Sequence, residues 1–182
     1  MSTQDRVKWD ARHGNTEAGS SKPPTWLAAH DALLPRQGRA LDIASGTGRI
    51  AIWAHQRGLE VTALDISPVG LSKIRAVVPE IRTVERDLSE EPTLPTGPFA
   101  LISCFHYRQP SLWPSMIEVL SPGGVVVAEL LTVANLERHA HPSRRWLVEP
   151  GELAGWAPGL ELVVMEEGWF GDRHSARLIA RK

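Results

Sequence analysis

The sequence predicts an α/β fold, an open and mostly parallel sheet with helices on both faces and an antiparallel hairpin at its C-terminal end. Three observations predict it. Short apolar runs alternate with helix-like segments from about Arg39 to Leu131. The run Phe99 to Phe105 is continuously apolar, as in a central strand covered on both faces. The last two apolar runs, Leu160 to Met165 and Ala176 to Ala180, are separated by a turn-rich link around Gly168 to Asp172. That link is too short for a crossover helix, so the pair is antiparallel.

Residues 1–25 are polar and mixed in charge, with Pro23-Pro24 as a breaker. A helix from about Thr25 to Leu34 follows, stopped by Pro35. Strand one covers Arg39 to Ile43; the helix after Gly48 carries Ile50, Ala51, Trp53 and Ala54, with Gly58 as its stop. Strand two spans Glu60 to Leu64. Ser67-Pro68 then reads as N-cap and first helical residue, with Leu71, Ile74 and Val78 on one face and Pro79 ending the helix. Strand three, Ile81 to Glu85, leads to Asp87, and Ser89 to Pro98 is a surface connection. A helix near Ser111 to Leu120, a turn at Ser121-Pro122-Gly123-Gly124 and strand five, Val125 to Leu131, complete the alternating part. Residues 132–149 have no firm periodicity and carry Arg138, His139, His141, Arg144 and Arg145.

A chain of 182 residues suits one domain, 1–182, with 1–25 as an N-terminal lid segment. The formal charge of −1 gives no general attraction to phosphate backbones, so no nucleic-acid partner is expected. Cys104 stands alone, which excludes an internal disulfide. No apolar run approaches the roughly 20 residues that cross a bilayer. A cytoplasmic monomer or homodimer without membrane contact is the expectation. Among the seven Trp, Trp9 and Trp26 precede the first core strand in a polar segment, where an amphipathic ring either packs or covers a ligand edge.

The stretch Leu41-Asp42-Ile43-Ala44-Ser45-Gly46-Thr47-Gly48-Arg49 runs an apolar strand through residues with small side chains into a helix. A ligand can lie there against bare backbone, where unpaired N–H groups and the helix dipole favour polar or anionic groups. Asp65, ending the next strand, is placed for ribose hydroxyls. Read from Gly46, the segment fits the dinucleotide fingerprint G-x-G-x-x-G/A. The longer frame D-x-A-x-G-x-G resembles motif I of the class I S-adenosylmethionine-dependent methyltransferases, with Ala44 where a first Gly is usual. Asp65 resembles that family's ribose acid, and Asp87 in Arg86-Asp87-Leu88 its adenine-contacting acid. Trp9-Asp10-Ala11-Arg12-His13 is similar to the W-x-x-R-[YH] opening of small bacterial members.

The resemblance implies a Rossmann-like seven-stranded sheet of order 3-2-1-4-5-7-6 and S-adenosyl-L-methionine as cofactor, with S-adenosyl-L-homocysteine as product. It implies cofactor contacts from Trp9, Arg12, Asp42, Ala44, Ser45, Gly46, Gly48, Asp65, Ile66, Asp87, Leu88 and Cys104. The tip of strand four, Cys104-Phe105-His106-Tyr107-Arg108-Gln109-Pro110, lacks the N/D-P-P-Y motif of DNA and protein amide methyltransferases. It resembles small-molecule members, including the tellurite-resistance (TehB-type) group, so a small-molecule acceptor is expected. RNA or protein methylation, or S-adenosylmethionine binding without catalysis, are the rival readings.

His106 and Tyr107 are the candidate catalytic residues. An imidazole with a pKa near 6.5 accepts a proton at neutral pH, or else hydrogen-bonds its own loop. Tyr107 is a lid over the methyl group or a packing residue. Arg108, Arg144 and Arg145 either hold an anionic acceptor or are solvated loop residues. Glu129, embedded in an apolar run, needs a partner if buried. No metal is expected, because His139 and His141 form an isolated H-x-H in a loop.

Overall fold

The computed structural model describes residues 3–17 and 22–182. Its strands are β1 (Arg39–Ile43), β2 (Glu60–Asp65), β3 (Arg82–Glu85), β4 (Phe99–Phe105), β5 (Leu120–Leu131), β6 (Glu161–Phe170) and β7 (Arg173–Arg181). They form one seven-stranded sheet of order β3-β2-β1-β4-β5-β7-β6. The pairs from β3 to β5 are parallel, and β7 runs antiparallel to both β5 and β6. Strand order and terminal hairpin both match the expectation. The hairpin arms are longer than the apolar runs, because Trp169 and Phe170 pair directly with His174 and Arg173 around a turn at Gly171-Asp172.

Helices α1 (Thr3–Gly14), α2 (Thr25–Ala29), α3 (Arg49–Gln56), α4 (Pro68–Val77) and α5 (Trp113–Val119) connect them. One sheet face packs Ala40, Val61, Leu101, Val127 and Ile179 against Trp26 and Leu27 of α2, Ile52 of α3 and Ile74 of α4. The other packs Leu41, Ile102, Val126 and Leu178 against Trp113 and Met116 of α5. Each strand therefore divides its residues between two cores, which is why the central runs read as continuously apolar.

Local chemistry sets the helix ends. Ser67 caps α4 by accepting from the Gly70 amide at 3.1 Å, with Pro68 in the first turn, as the sequence implies. α2 is shorter than expected. The His30 ring sits 2.9 Å from the Trp26 carbonyl, and Arg57 and Arg36 pair with Asp31. The chain therefore leaves α2 at His30 and makes a 3-10 turn over Asp31–Leu33 instead of continuing. The expected Ser121–Gly124 turn appears as an irregularity inside β5, between the pairings Phe99–Leu120 and Leu101–Val125.

Of the expected lid segment, residues 1, 2 and 18–21 lie outside the described residues. Thr3–Gly14 forms a helix that periodicity did not announce, and it docks on α4. Arg6 pairs with Glu85 at 2.9 Å, Ser67 Oγ donates to Asp10 at 2.6 Å, and Lys73 reaches the carbonyls of His13 and Gly14. A lysine at the carbonyl end of a helix also complements its dipole.

Gly48 explains why the turn before α3 tolerates so little. It has φ +89, and a β carbon there would stand 2.6 Å from Ile74 Cγ1. Gly48→Ala is expected to lose about 1–3 kcal/mol of unfolding free energy, from left-handed backbone strain and displacement of Ile74. Urea denaturation checks it as a lower midpoint with an unchanged slope.

Candidate active site

Asp42, the penultimate residue of β1, is buried on the sheet face that α3 covers. Its carboxyl accepts the Ala51 amide at 3.0 Å and the Ser103 hydroxyl of β4 at 2.7 Å. Gly48, the residue that caps α3, has no side chain to offer, so a strand carboxyl supplies the missing acceptor to the first turn. Burial pushes the Asp42 carboxyl up to about 7, against the opposing effect of those two hydrogen bonds.

Between β1 and α3 the chain turns sharply. Ala44, in the position where a glycine is usual, adopts φ +54, and Gly46 follows at φ +55. The Ser45 amide donates to the Leu64 carbonyl, and Gly48 closes back on Ser45 at 2.9 Å. Asp65 completes the cradle from the end of β2. One carboxylate oxygen accepts the Gly46 amide and the other the Ser67 amide, each at 2.8 Å. Burial raises the Asp65 pKa, with the amide bonds and the neighbouring His13 opposing.

Two features test whether the turn suits a nucleoside cofactor. Ser45 Oγ is buried and has no hydrogen-bond partner among the described residues. The Asp65 carboxylate accepts the Gly46 and Ser67 amides, with the Ile66 amide also close, and keeps acceptor capacity for a hydroxyl donor. The residues present fit the group. The imidazole of His13 lies over this cradle, since a β carbon on Gly46 would stand 3.2 Å from its Cε1. Trp9 stacks on His13 with ring centres 5.6 Å apart, and Arg12 covers the other part of Trp9. The opening motif therefore lies beside the turn, although His13, not Trp9, makes the close approach.

Beyond β1 a cavity of about 710 Å³ opens at the C-terminal ends of β4 and β5. His106 lines it, at φ +57, with its amide bonded to the Glu129 carbonyl at 2.8 Å. The side chain is exposed where it opens on the cavity, and the protein packed around the rest of it lowers its pKa. Glu129 opposes that shift, while Arg49, Arg12 and Arg173 reinforce it. Glu129 accepts from Trp26 Nε1 at 2.6 Å and from Arg177 Nε at 3.2 Å, so the buried acid has the partners it requires. Arg177 also lies 3.4 Å over the Phe170 ring centre.

Other expected residues lie elsewhere. Tyr107 packs in the core under α5, and its hydroxyl donates to Gln109, so packing is the role the structure shows. Cys104 is turned into the same core, and burial pushes its thiol up to about 12. A side chain at Gly48 would meet Ile74, so the packing of α4 also requires that glycine. Asp87 accepts from the Ser89 amide at 2.9 Å, Leu88 is buried beneath it, and Ile66 is half-buried beyond β2. Arg108 pairs with Glu152 and Arg144 with Glu149, while Arg145 lies over Trp146. None of these three arginines lines the cavity; Arg49, Arg173 and Arg177 do. Trp26 and Glu129 were singled out in the sequence, but their bond across 103 residues has no local signal.

Residues 40–124, which hold the turn and all three motif acids, match the family model described as a methyltransferase domain. Over 108 residues the chain is 33% identical to the uncharacterized methyltransferase Rv3342 of Mycobacterium tuberculosis, covering 57% of this chain and 43% of that protein. The chain spans less than half the length of the first curated relatives it matches, 19% and 43%. Among solved structures, an S-adenosylmethionine-dependent methyltransferase from Mesorhizobium loti superposes with a TM-score of 0.71 at 22% identity, over 90% of this chain and 100% of that one. TehB from Haemophilus influenzae gives 0.70 at 18% identity, over 86% and 60%. The central segment is thus similar to methyltransferase domains, and the fold is the one these solved S-adenosylmethionine-dependent methyltransferases share. Among the described residues no helix is long and apolar enough to cross a membrane.

The Asp42 carboxyl carries a pH signature. Its folded pKa stands above its unfolded value of 3.8, so the native state holds the extra proton between about pH 4 and 7 and stability falls as pH rises through that window. Asp42→Asn keeps an acceptor for Ala51 and removes the titration. Its melting temperature relative to wild type is expected to be higher at pH 7.5 than at pH 5, as read by calorimetry across that range.

Proposed function

We propose that this protein transfers the methyl group of S-adenosylmethionine to a small molecule held in the cavity beside His106. The observation that carries the reading is that Ala44 and Ser45, which lead into the Gly46–Asp65 cradle, line the same cavity as His106. The reading assigns the cofactor's ribose to Asp65, its polar contacts to the turn and Ser45 Oγ, and its exposed edge to Trp9, Arg12 and His13. Asp87, Leu88 and Ile66 border the adenine end. When bound, the cofactor supplies an electrophilic methyl group and its own leaving group, so the chain needs neither a covalent nucleophile nor a metal.

The protein's work is positioning and proton removal. Trp26, Phe105 and Phe170 give the acceptor apolar walls. Any proton that the acceptor gives up on methylation would pass to the imidazole of His106, which lines the cavity. The lowered pKa of that imidazole keeps it unprotonated at neutral pH. A small acceptor is favoured because the cavity is recessed between α2 and the β6–β7 hairpin and the chain carries no net cationic charge.

Asp65→Ala is expected to weaken S-adenosylmethionine binding by about 10- to 100-fold in calorimetry, the worth of charge-assisted hydrogen bonds to a ribose. Unchanged affinity would move the cofactor elsewhere. Turnover is read as S-adenosylhomocysteine release with thiols, selenite, tellurite, amines and phenols as acceptors. On whichever acceptor responds, His106→Gln should lower kcat by about 10²-fold or more with cofactor affinity retained. The wild-type rate should fall as pH drops through the depressed His106 pKa, below about 6.5, and the variant should lack that limb. A variant with full rate and the same profile would remove His106 as the base.

A further inference from the structure

We propose that the methyl acceptor is an organic anion whose carboxylate or phosphoryl group is held by Arg173, a refinement that rests on the methyltransferase reading above. The cavity brings three guanidinium groups together, from Arg49, Arg173 and Arg177. They are not equivalent. Arg177 is neutralised by Glu129 at 3.2 Å and Glu166 at 3.7 Å, and its guanidinium carbon lies over the Phe170 ring. Its role is to hold the wall. Arg49 donates Nε to the Lys22 carbonyl at 2.8 Å and has no carboxylate partner among the described residues. The exposed side chain of Arg173, at the start of β7, makes no hydrogen bond or ion pair among the described residues and borders the cavity.

The negative side does not balance these charges. The carboxyl groups lining the cavity are Asp42 and Glu129. Glu129 is consumed by Trp26 and Arg177, and Asp42 by Ala51 and Ser103. Two cations are therefore left to face the cavity. Their sheet positions separate their tasks. Arg49 follows Gly48 directly and stands at the cofactor turn. β7 lies three strands from β1, about 14 Å across the sheet at the usual spacing, so Arg173 stands on the far side of the cavity. His106 lies between them and feels both charges. A cation beyond the base, next to the aromatic walls Trp26 and Phe170, fits an acceptor with an apolar body and an anionic end. The planar guanidinium suits carboxylate and phosphoryl oxygens alike.

The test is calorimetric and uses protein loaded with S-adenosylhomocysteine, titrated with benzoate, phenylphosphonate and the neutral isostere benzamide. At least one acid should bind at least about tenfold more tightly than benzamide, and the tighter acid identifies the source of the anion. Arg173→Gln should lose that preference by about tenfold, Arg173→Lys should retain part of it, and both should bind S-adenosylhomocysteine as wild type does. The proposal is overturned if benzamide binds as well as the acids, if neither acid binds the loaded protein, or if Arg173→Gln binds the acids unchanged. Failure of S-adenosylhomocysteine itself to bind would instead remove the cofactor reading, and this refinement with it.

Discussion

The buried carboxyl group of Asp42 is the interaction on which the site depends. It joins three elements at one point: β1, which carries it, β4 through Ser103, and the first turn of α3 through Ala51. Because the acceptor for α3 comes from the preceding strand, the intervening residues must fold back within a few bonds. That constraint forces Ala44, Gly46 and Gly48 into left-handed backbone and lays their peptide groups open beside Asp65. A serine or aspartate cap at position 48 would satisfy the helix but would place a side chain against Ile74. The sheet and the binding turn are consequences of a single hydrogen-bonded junction.

Register extends this junction across the sheet. Asp42, Ser103, Val127 and Ile179 are successive partners, and one pleat further on come Phe105, Glu129, Arg177 and Glu166. On this face the strands change from core to site between those two rows. Val127 and Ile179 lie under α2 and α3, whereas Glu129 and Arg177 are already at the cavity. The pair across β5 and β7 is buried, so it needs the third contact from Trp26 to satisfy its carboxylate. Through that indole, α2 is fixed to the acceptor end of the sheet, and the wall of the cavity is positioned by the same bonds that compensate the charge.

Much of this was legible in local sequence. The strand–turn–helix motif, the N-cap at Ser67 and the short link before Ala176 each reflect interactions between residues close in the chain, and each appears where the residues imply it. The strand order came with the family resemblance. What escaped were effects of pairing over long distances. The helix Thr3–Gly14 lacks an apolar stripe because its bonds to Glu85, Ser67 and Lys73 are polar. Of the arginines the sequence singled out, Arg144 pairs with nearby Glu149 and Arg108 with Glu152, 44 residues away, while the cavity arginines Arg173 and Arg177 carried no local signal. Composition names the residue type a pocket needs, but only register decides which copies reach it.

Strain completes the argument. Among the described residues, the non-glycine residues with positive φ are Ala44 and His106, and they lie just past the ends of the neighbouring strands β1 and β4. Each costs about 1–2 kcal/mol relative to extended backbone. Neither would persist in a free loop. Ala44 is held by the Asp42 junction on one side and the Ser45–Leu64 bond on the other, and His106 by its amide bond to Glu129. The strain at His106 has a geometric return, because an extended residue there would continue the pleat of β4 and alternate between the two cores. In left-handed backbone the chain leaves the sheet at once, so the imidazole borders the cavity while Tyr107 turns back into the core. Separation of adjacent residues into a site residue and a packing residue is therefore the work of one backbone dihedral, stabilised by the hydrogen bonds of the strands around it.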